Sequence, residues 1–323
     1  MRHRDFLHKD AETPLGERYI AAGAVCSLST NWQQLLEAAR DTFLPFKKPL
    51  GPVGFSLRLW VDDADKAQPP WPKPYVRGLS HLVFAGFDSG SSLMADLRTC
   101  RVIGRFSAAM ASDAKYWRTV IFPMLLTIVS ASLGIAELHC ACVSTKQDGI
   151  LLAGPSRSGK STLALALSQL GCGFLSDDRA FCSRDNGEVL LWGLPTRLKL
   201  RSEAAVWFQE LRNEQPTDTH AGEPAYWLDY EDLFGLKRVP RCRPHSLIFL
   251  EREETPAFRI RRMSSAEALN RLNKDLMAEL PDAAANRSAT IARLVEFPCW
   301  FLQYGGDPHR IARKILQDLA GVN

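Results

Sequence analysis

The chain has 323 residues, 46% of them apolar and 24% charged, with a formal net charge of +4. This is ordinary globular composition, and the length suffices to bury a sizeable core, in one large domain or two, without metal or disulfide staples. The charge is thinly spread, and the one basic cluster, Lys237, Arg238, Arg241 and Arg243, is broken by Pro240 and Cys242; it reads as a solvated loop first and an anion-binding patch second, and no nucleic-acid partner is expected.

The start, Met1-Arg2-His3-Arg4-Asp5, has no apolar signal-peptide core, so a cytoplasmic chain is expected. The eight cysteines include no Cys-x-x-Cys pair, which fits reduced, buried thiols. Residues 1–115 read as an N-terminal α+β region without a chemical motif. In it, Phe55 to Trp60 and His81 to Phe84 are strand-like apolar runs. Between them, Pro69-Pro70-Trp71-Pro72-Lys73-Pro74 reads as an extended surface loop.

Residues 116–323 read as a second domain. Thr119 to Ala136 is uncharged over 18 residues, the lower limit for a membrane span. Pro123, Thr127, Ser130, Ser132 and Gly134 interrupt it, so a buried helix from Thr119 to Leu138 is expected and no membrane span. Cys140 to Val143 and Ile150 to Ala153 read as strands joined by a turn near Gln147-Asp148-Gly149, with Cys140 and Cys142 on one face. Ser161 to Leu170 reads as a helix stopped by Gly171, and Phe174 to Ser176 as a short buried strand. Val189 to Trp192 and Leu198 to Leu200 are strands on either side of Gly193-Leu194-Pro195. Strand, loop, helix, strand in this order predicts an α/β core. Arg212 to Pro224 is polar and reads as a mobile loop. Leu247 to Leu250 is a strand. Ser264-Ser265-Ala266-Glu267 is a capping box opening a helix with Leu269, Leu272, Leu276 and Leu280 on one face. A last amphipathic helix carries Ile311, Ile315, Leu316 and Leu319.

Gly154-Pro155-Ser156-Arg157-Ser158-Gly159-Lys160-Ser161 matches the Walker A pattern G-x-x-x-x-G-K-[ST] and is followed by Thr162. Glycines let the backbone curl so that successive amides converge on phosphate oxygens. The following helix aims its N-terminus at the same phosphates, Lys160 supplies a full charge, and Ser161 supplies a hydroxyl for magnesium. The apolar run before the motif and the helical pattern after it are the context such a loop needs. A nucleoside triphosphate site is therefore expected at residues 154–162.

Asp177 and Asp178 end a strand-like run 17 and 18 residues after Lys160. One of two adjacent carboxylates could hold magnesium while the other accepts a proton from an attacking hydroxyl. His139, 15 residues before Gly154, carries no functional signal by spacing alone.

Together, His139, Gly154 to Thr162, Gly171 and Leu175-Ser176-Asp177-Asp178-Arg179 resemble the kinase domain of bacterial HPr kinase/phosphorylase and its looser relatives. Gly193-Leu194-Pro195-Thr196-Arg197-Leu198-Lys199-Leu200 is similar to a Gly-x-Pro turn of the related kinases. The resemblance covers roughly residues 116–280 and is sharpest from His139 to Ser183. It implies a P-loop core of the phosphoenolpyruvate-carboxykinase type with a mixed sheet, ATP and Mg2+ as cofactors, and transfer of the γ-phosphoryl group to a serine hydroxyl. By the resemblance, Lys160 binds phosphate, Ser161 and Asp177 hold magnesium, Asp178 is the general base, and His139 stands beside the acidic pair. Arg157 stands where the family usually has Gly, Thr162 where it has an acid, and Leu190 where it has a second magnesium-binding Glu; Glu188 and Glu203 are the nearby carboxylates. These departures point away from HPr itself and towards another serine-bearing peptide or small protein; the sequence leaves a homo-oligomer open. Two alternatives stay open: a nucleotide-binding regulatory module without catalysis, and a small-molecule kinase acting, for example, on free serine.

Overall fold

Residues Phe55–Asp62 are alternately buried and half-buried at all eight positions, the period-two pattern of a sheet with one covered face. The computed structural model describes residues 11–45, 52–62, 68–146, 148–185, 187–194, 198–218, 224–228, 230–236, 238–272 and 281–319. The chain divides into two compact units, Met1–Ile135 with Ala278–Arg287, and Ala136–Met277 with Ser288–Asn323.

The first unit carries β1 (Leu15–Ala21), β2 (Ala24–Thr30), β3 (Leu44–Pro45), β4 (Phe55–Asp62), β5 (Tyr75–Leu79), β6 (Leu82–Gly86), β7 (Ser92–Asp96) and β8 (Arg101–Ser107). They form one mixed sheet in the order β3-β1-β2-β4-β8-β7-β6-β5. The neighbours β2, β4 and β8 run parallel, so the chain needs a crossover between them. Helix α1 (Gln33–Thr42) lies on the crossover from β2 to β4 and buries Leu35, Leu36, Ala38 and Ala39. After β8 come α2 (Ala108–Ser112), α3 (Ala114–Tyr116), a π-helical turn at Trp117–Ile121 and α4 (Phe122–Ser130). Ring contacts tie this segment to the sheet and to Phe43: Phe106–Trp117 at 4.7 Å, Trp117–Phe122 at 5.0 Å and Phe122–Phe43 at 5.1 Å between centroids.

Those contacts place the division of the chain after Ile135 rather than after residue 115, because Trp117 and Phe122 are fully buried in the first unit's core. The expected helix from Thr119 to Leu138 is also shorter. It ends at Ser130, passes through a 3-10 turn at Ala131–Leu133, and gives way to strand β9 (Ala136–Leu138). Gly134 stands at φ +70, a left-handed conformation that ends helices. Among the described residues no helix is long and apolar enough to cross a membrane.

The second unit continues with β10 (Cys140–Thr145), β11 (Asp148–Ala153), α5 (Lys160–Gln169), β12 (Gly173–Ser176), β13 (Ala180–Asp185), β14 (Glu188–Gly193), β15 (Leu198–Arg201), β16 (Thr217–Asp218), β17 (Pro224–Leu228), α6 (Tyr230–Phe234), β18 (Arg241–Arg252), β19 (Ala257–Met263), α7 (Ser265–Leu272), the second half of α8 (Pro281–Leu294), whose residues to Arg287 belong to the first unit, β20 (Cys299–Gly305) and α9 (Pro308–Asp318). Nine strands form a mixed sheet along β12-β10-β11-β18-β14-β13-β9, with β20 also paired to β18 and β19 to β20; β15, β17 and β16 form a small second sheet. The molecule is thus a mixed α/β protein.

Strands β10 and β11 are buried on both faces. Ala141, Val143, Ile150 and Leu152 pack with Leu163 and Leu167 of α5 and Ile311 and Ile315 of α9. Cys140, Cys142, Leu151 and Ala153 pack with Cys182, Leu191 and Ala268 on the other side. Their continuous apolar runs follow from this double cover. All eight cysteines are buried and none is in a disulfide.

The second half of the basic cluster is not a loop: Arg241, Cys242 and Arg243 open β18, pairing with β14 and β11, and Lys237 lies outside the described residues. Pro244 hid the strand's start. The ladder with β11 tolerates it through a register shift that takes Gly149 to Pro244 and Ile150 to Ser246, the bulge at which a proline can sit inside a sheet. The stretch read as a mobile loop contains a 3-10 turn to Asn213, the strand β16 and the start of β17; residues 219–223 lie outside the described ones. The Ser264 cap forms, its hydroxyl accepting from the Glu267 amide at 3.2 Å, but the Glu267 carboxylate turns to Arg261. Residues Leu276 and Leu280, and the turn residues 195–197, also fall outside the described residues.

Candidate functional site

Register brings the chemistry to one end of the second unit's sheet. Cys140, the first residue of β10, pairs with Ala153, the last of β11. His139 and Gly154 are therefore neighbours at that end. Strand β12 runs antiparallel to β10, with Ser176 opposite Cys142, so Asp177 and Asp178 leave the sheet in the same place. The parallel partner β18 sets Phe249 beside Ala153, and β20 continues the layer, with Tyr304 opposite Arg252.

The loop from Gly154 to Gly159 joins β11 to α5. Pro155, Ser156 and Arg157 are exposed, whereas Ser158 and Lys160 are buried. Arg157 and Gly159 both stand in the left-handed region, at φ +70 and φ +84. Gly159 has a second reason to lack a side chain: a Cβ there would lie 2.1 Å from the Tyr304 hydroxyl. That hydroxyl donates to the Ser158 carbonyl at 2.7 Å. Burial raises the phenol to about 12, so it remains a donor across the ordinary pH range.

The Lys160 ammonium donates to the Gly154 carbonyl at 2.8 Å and the Pro155 carbonyl at 3.2 Å. The Leu163 amide donates to the Gly159 carbonyl at 2.9 Å, closing the first turn of α5. The Ser158 hydroxyl is buried without a hydrogen-bond partner and faces Gly154, where a Cβ would come within 2.7 Å of it. A tightly turned backbone with a buried cation and an orphaned buried hydroxyl has the chemistry that suits an oxyanion.

The two aspartates have different surroundings. Asp177 is buried, and its carboxylate accepts from the Lys199 amide at 2.9 Å. Burial raises its pKa to about 7, with the neighbouring Asp178 adding to the rise and the Lys199 amide opposing it. The Ser161 hydroxyl stands 3.4 Å from the Asp177 carbonyl oxygen, which fixes the start of α5 against the acidic pair. Asp178 is exposed; its carboxylate lies 3.5 Å from His139 Nε2 and 3.9 Å from Arg179 Nε, and Arg179 in turn reaches Glu137 at 3.2 Å. Thr162 is half-buried in the first turn of α5.

Of the two carboxylates near Leu190, Glu188 is at the wrong end of the sheet. It pairs with Arg243 at 3.2 Å, and Arg243 stands opposite Asp148 at the start of β11. Five residues of strand separate that point from Ala153, roughly 17 Å. Glu203 is exposed on a 3-10 turn after β15. Leu190 is a half-buried strand residue opposite Ser183. Sequence reasoning passed over Tyr304 and Glu137 and gave no role to Lys199 and Arg179, which it quoted only as motif positions, since each is placed by strand pairing or by a partner on another element.

No protein-family model matches the chain, and no curated protein matches its sequence. Among solved structures, the HPr(Ser) kinase/phosphatase from Coxiella burnetii is similar at 15% identity over 56% of this chain and 91% of that one, with a TM-score of 0.28. A likeness of that size carries no argument about the site.

Proposed function

We propose that the second unit binds ATP with magnesium at residues 154–162 and transfers the γ-phosphoryl group to a hydroxyl, most fittingly a serine of a peptide or small protein. The observation that carries this reading is the meeting, at one sheet end, of a cationic amide-lined loop with a buried carboxyl and an exposed carboxylate–histidine pair. In chemical terms it is a P-loop kinase core of the type the motif resembles.

Backbone amides at the turn into α5 hold phosphate oxygens, and Lys160 exchanges the loop's own carbonyls for the β and γ phosphates. The Ser161 hydroxyl, 3.4 Å from the Asp177 backbone carbonyl, and the carboxylate of the same aspartate are hard oxygen donors, a small set suited to an ion that keeps several of its waters. Magnesium there would neutralise charge on the transferring group. Asp178 takes the acceptor's hydroxyl proton while the new O–P bond forms and the bond to the ADP oxygen breaks; His139 then stabilises or receives that proton. Transfer of this kind is mostly positioning and charge neutralisation, which the Tyr304 anchor and the Lys199 amide support by fixing the loop and Asp177.

The test is labelled ATP with magnesium, offered to serine peptides, co-purifying proteins and free serine. Asp178→Asn is expected to keep ATP affinity within about twofold while transfer falls by roughly 10²–10⁴-fold. If the wild-type chain binds no ATP, the whole reading fails. Tight binding without transfer or hydrolysis would favour a second reading, a nucleotide-holding regulatory module. One observation speaks for that module: Glu188 is engaged with Arg243 far from the loop, and Leu190 is a hydrocarbon. A phosphorylated metabolite as sole product would instead make this a small-molecule kinase.

A further inference from the structure

Seven large apolar side chains are exposed among the described residues, and four of them, Tyr75, Val76, Leu79 and Phe84, lie on the single hairpin β5–β6. Exposed apolar residues scattered singly need no explanation; four on two adjacent strands do. Among the described residues, strand β5 is the last of the first unit's sheet and pairs only with β6. All five of its residues are exposed.

The ladder decides which groups are free. Leu79 pairs with Leu82 across a two-residue connection, so the backbone groups of Tyr75, Arg77 and Leu79 point to β6, and those of Val76 and Gly78 point outward. Tyr75, Arg77 and Leu79 share one face of the sheet with Phe84. Edges of this kind are usually shortened, covered or studded with charge; this one keeps a single cation between two apolar residues. It is also held in place: Trp71, just ahead of it, donates to Asp113 at 2.7 Å and packs against Tyr116.

We infer that the free edge of β5 takes up an extended polypeptide segment of a partner as a ninth strand, with a carboxylate opposite Arg77 and apolar residues two positions to either side. The commitment to an acidic occupant is one of charge complementarity. Residues 75–86 contain Arg77 and His81 and no acid. Of the acids flanking the hairpin, Asp96, opposite Leu82, has its carboxylate turned to the Thr99 hydroxyl and the Arg98 amide, and Asp88, two residues beyond β6, accepts from the Gly90 amide. In an added antiparallel strand the residue facing Arg77 occupies the closely spaced pair, where like charges repel and opposite charges attract most. A second copy using all five residues of β5 would set Arg77 against itself. The mode of capture is main-chain hydrogen bonding for affinity, with side chains for selection, and the inference does not depend on the nucleotide reading.

The experiment uses the full chain and a fluorescein-labelled peptide, Ser-Leu-Thr-Glu-Thr-Leu-Ser, with its central Glu replaced by Gln or Lys. Anisotropy is expected to rank Glu above Gln above Lys, the ends differing by roughly three- to tenfold. Arg77→Glu should invert that order. Val76→Pro removes an outward donor without touching the β6 ladder, and should abolish binding of all three. No anisotropy change for any peptide up to about 1 mM, or an order that Arg77→Glu leaves unmoved, overturns the inference. So does sedimentation showing a dimer of the free chain that Val76→Pro dissolves, because the edge would then belong to a second copy.

Discussion

The two sheets teach different things about where function can sit. In the first unit, β4 alternates buried and half-buried residues along its whole length, so one sheet face and one edge stay available. In the second, β10 and β11 are buried on both faces, and only the strand ends reach solvent. A doubly covered sheet can hold a loop such as Gly154–Gly159 in a strained shape, because its flanking strand and helix cannot shift. A singly covered sheet holds nothing so tightly, but its surface and edge can meet a partner. The contrast predicts a rigid site at the end of one sheet and an adaptable contact at the rim of the other.

The largest effect that could break this contrast is on stability. Leu151 is fully buried between the layers of the second unit, and Leu151→Ala should cost about 2–5 kcal/mol in denaturant unfolding. Leu79→Ala, at a side chain 67% exposed, should stay within about 0.5 kcal/mol. Similar costs at both positions would mean that the edge of β5 is covered.

The next effect is of pH. Asp177 has its pKa raised from 3.8 to about 7, chiefly by burial. A carboxyl raised on folding favours the protonated form in the folded chain. Its contribution to stability is therefore whole below the unfolded value and is lost as pH rises towards 7. In chelator, unfolding free energy should fall across that window by an amount on the order of a few kcal/mol, and Asp177→Asn should flatten the profile. A slope that survives Asp177→Asn would assign it to another group.

Much of the second unit was legible in the sequence, for a physical reason. The loop, its preceding strand and its following helix are contiguous, and their signals are local: an apolar run, a glycine-bearing motif, a helix stopped at Gly171. The mutual approach of His139 and Asp178 is longer-range and rested on resemblance. Tyr304 was not legible at all, because its hydroxyl meets Ser158 across 146 positions of sequence through two parallel strand pairings. The early start of β18 was hidden by Pro244, whose usual meaning is reversed by a bulge. In the first unit, Trp117 and Phe122 looked like the entry to the second domain; only the ring contacts with Phe43 and Phe106 show which core they serve.

A smaller effect sharpens the claim of rigidity. Tyr304→Phe removes one buried hydrogen bond to the Ser158 carbonyl and keeps the ring. Unfolding should become easier by about 1 kcal/mol, and if the loop receives phosphate, ATP affinity should weaken by roughly threefold to tenfold. An unchanged affinity in a destabilised chain would show that the tyrosine serves the fold alone.

The smallest effect tests whether the loop's shape is imposed on it. Arg157 is an exposed residue with a side chain held at φ +70, a conformation that costs a residue with a Cβ about 1 kcal/mol or more relative to glycine. Glycine relieves that strain but widens the unfolded ensemble, which returns roughly 0.5–1 kcal/mol. Asparagine tolerates the left-handed region with less loss of unfolded-state restriction. Alanine keeps the strain and removes the guanidinium. If the buried strand and helix on either side impose the turn, Arg157→Asn should therefore be the most stable of the three, Arg157→Gly close behind, and Arg157→Ala the least, all within about 1 kcal/mol. Thermal unfolding of the three variants in the same buffer reads the order directly. Equal midpoints would mean that residue 157 relaxes to negative φ in solution, and the loop would then be soft at the point where the doubly covered sheet is argued to hold it hardest.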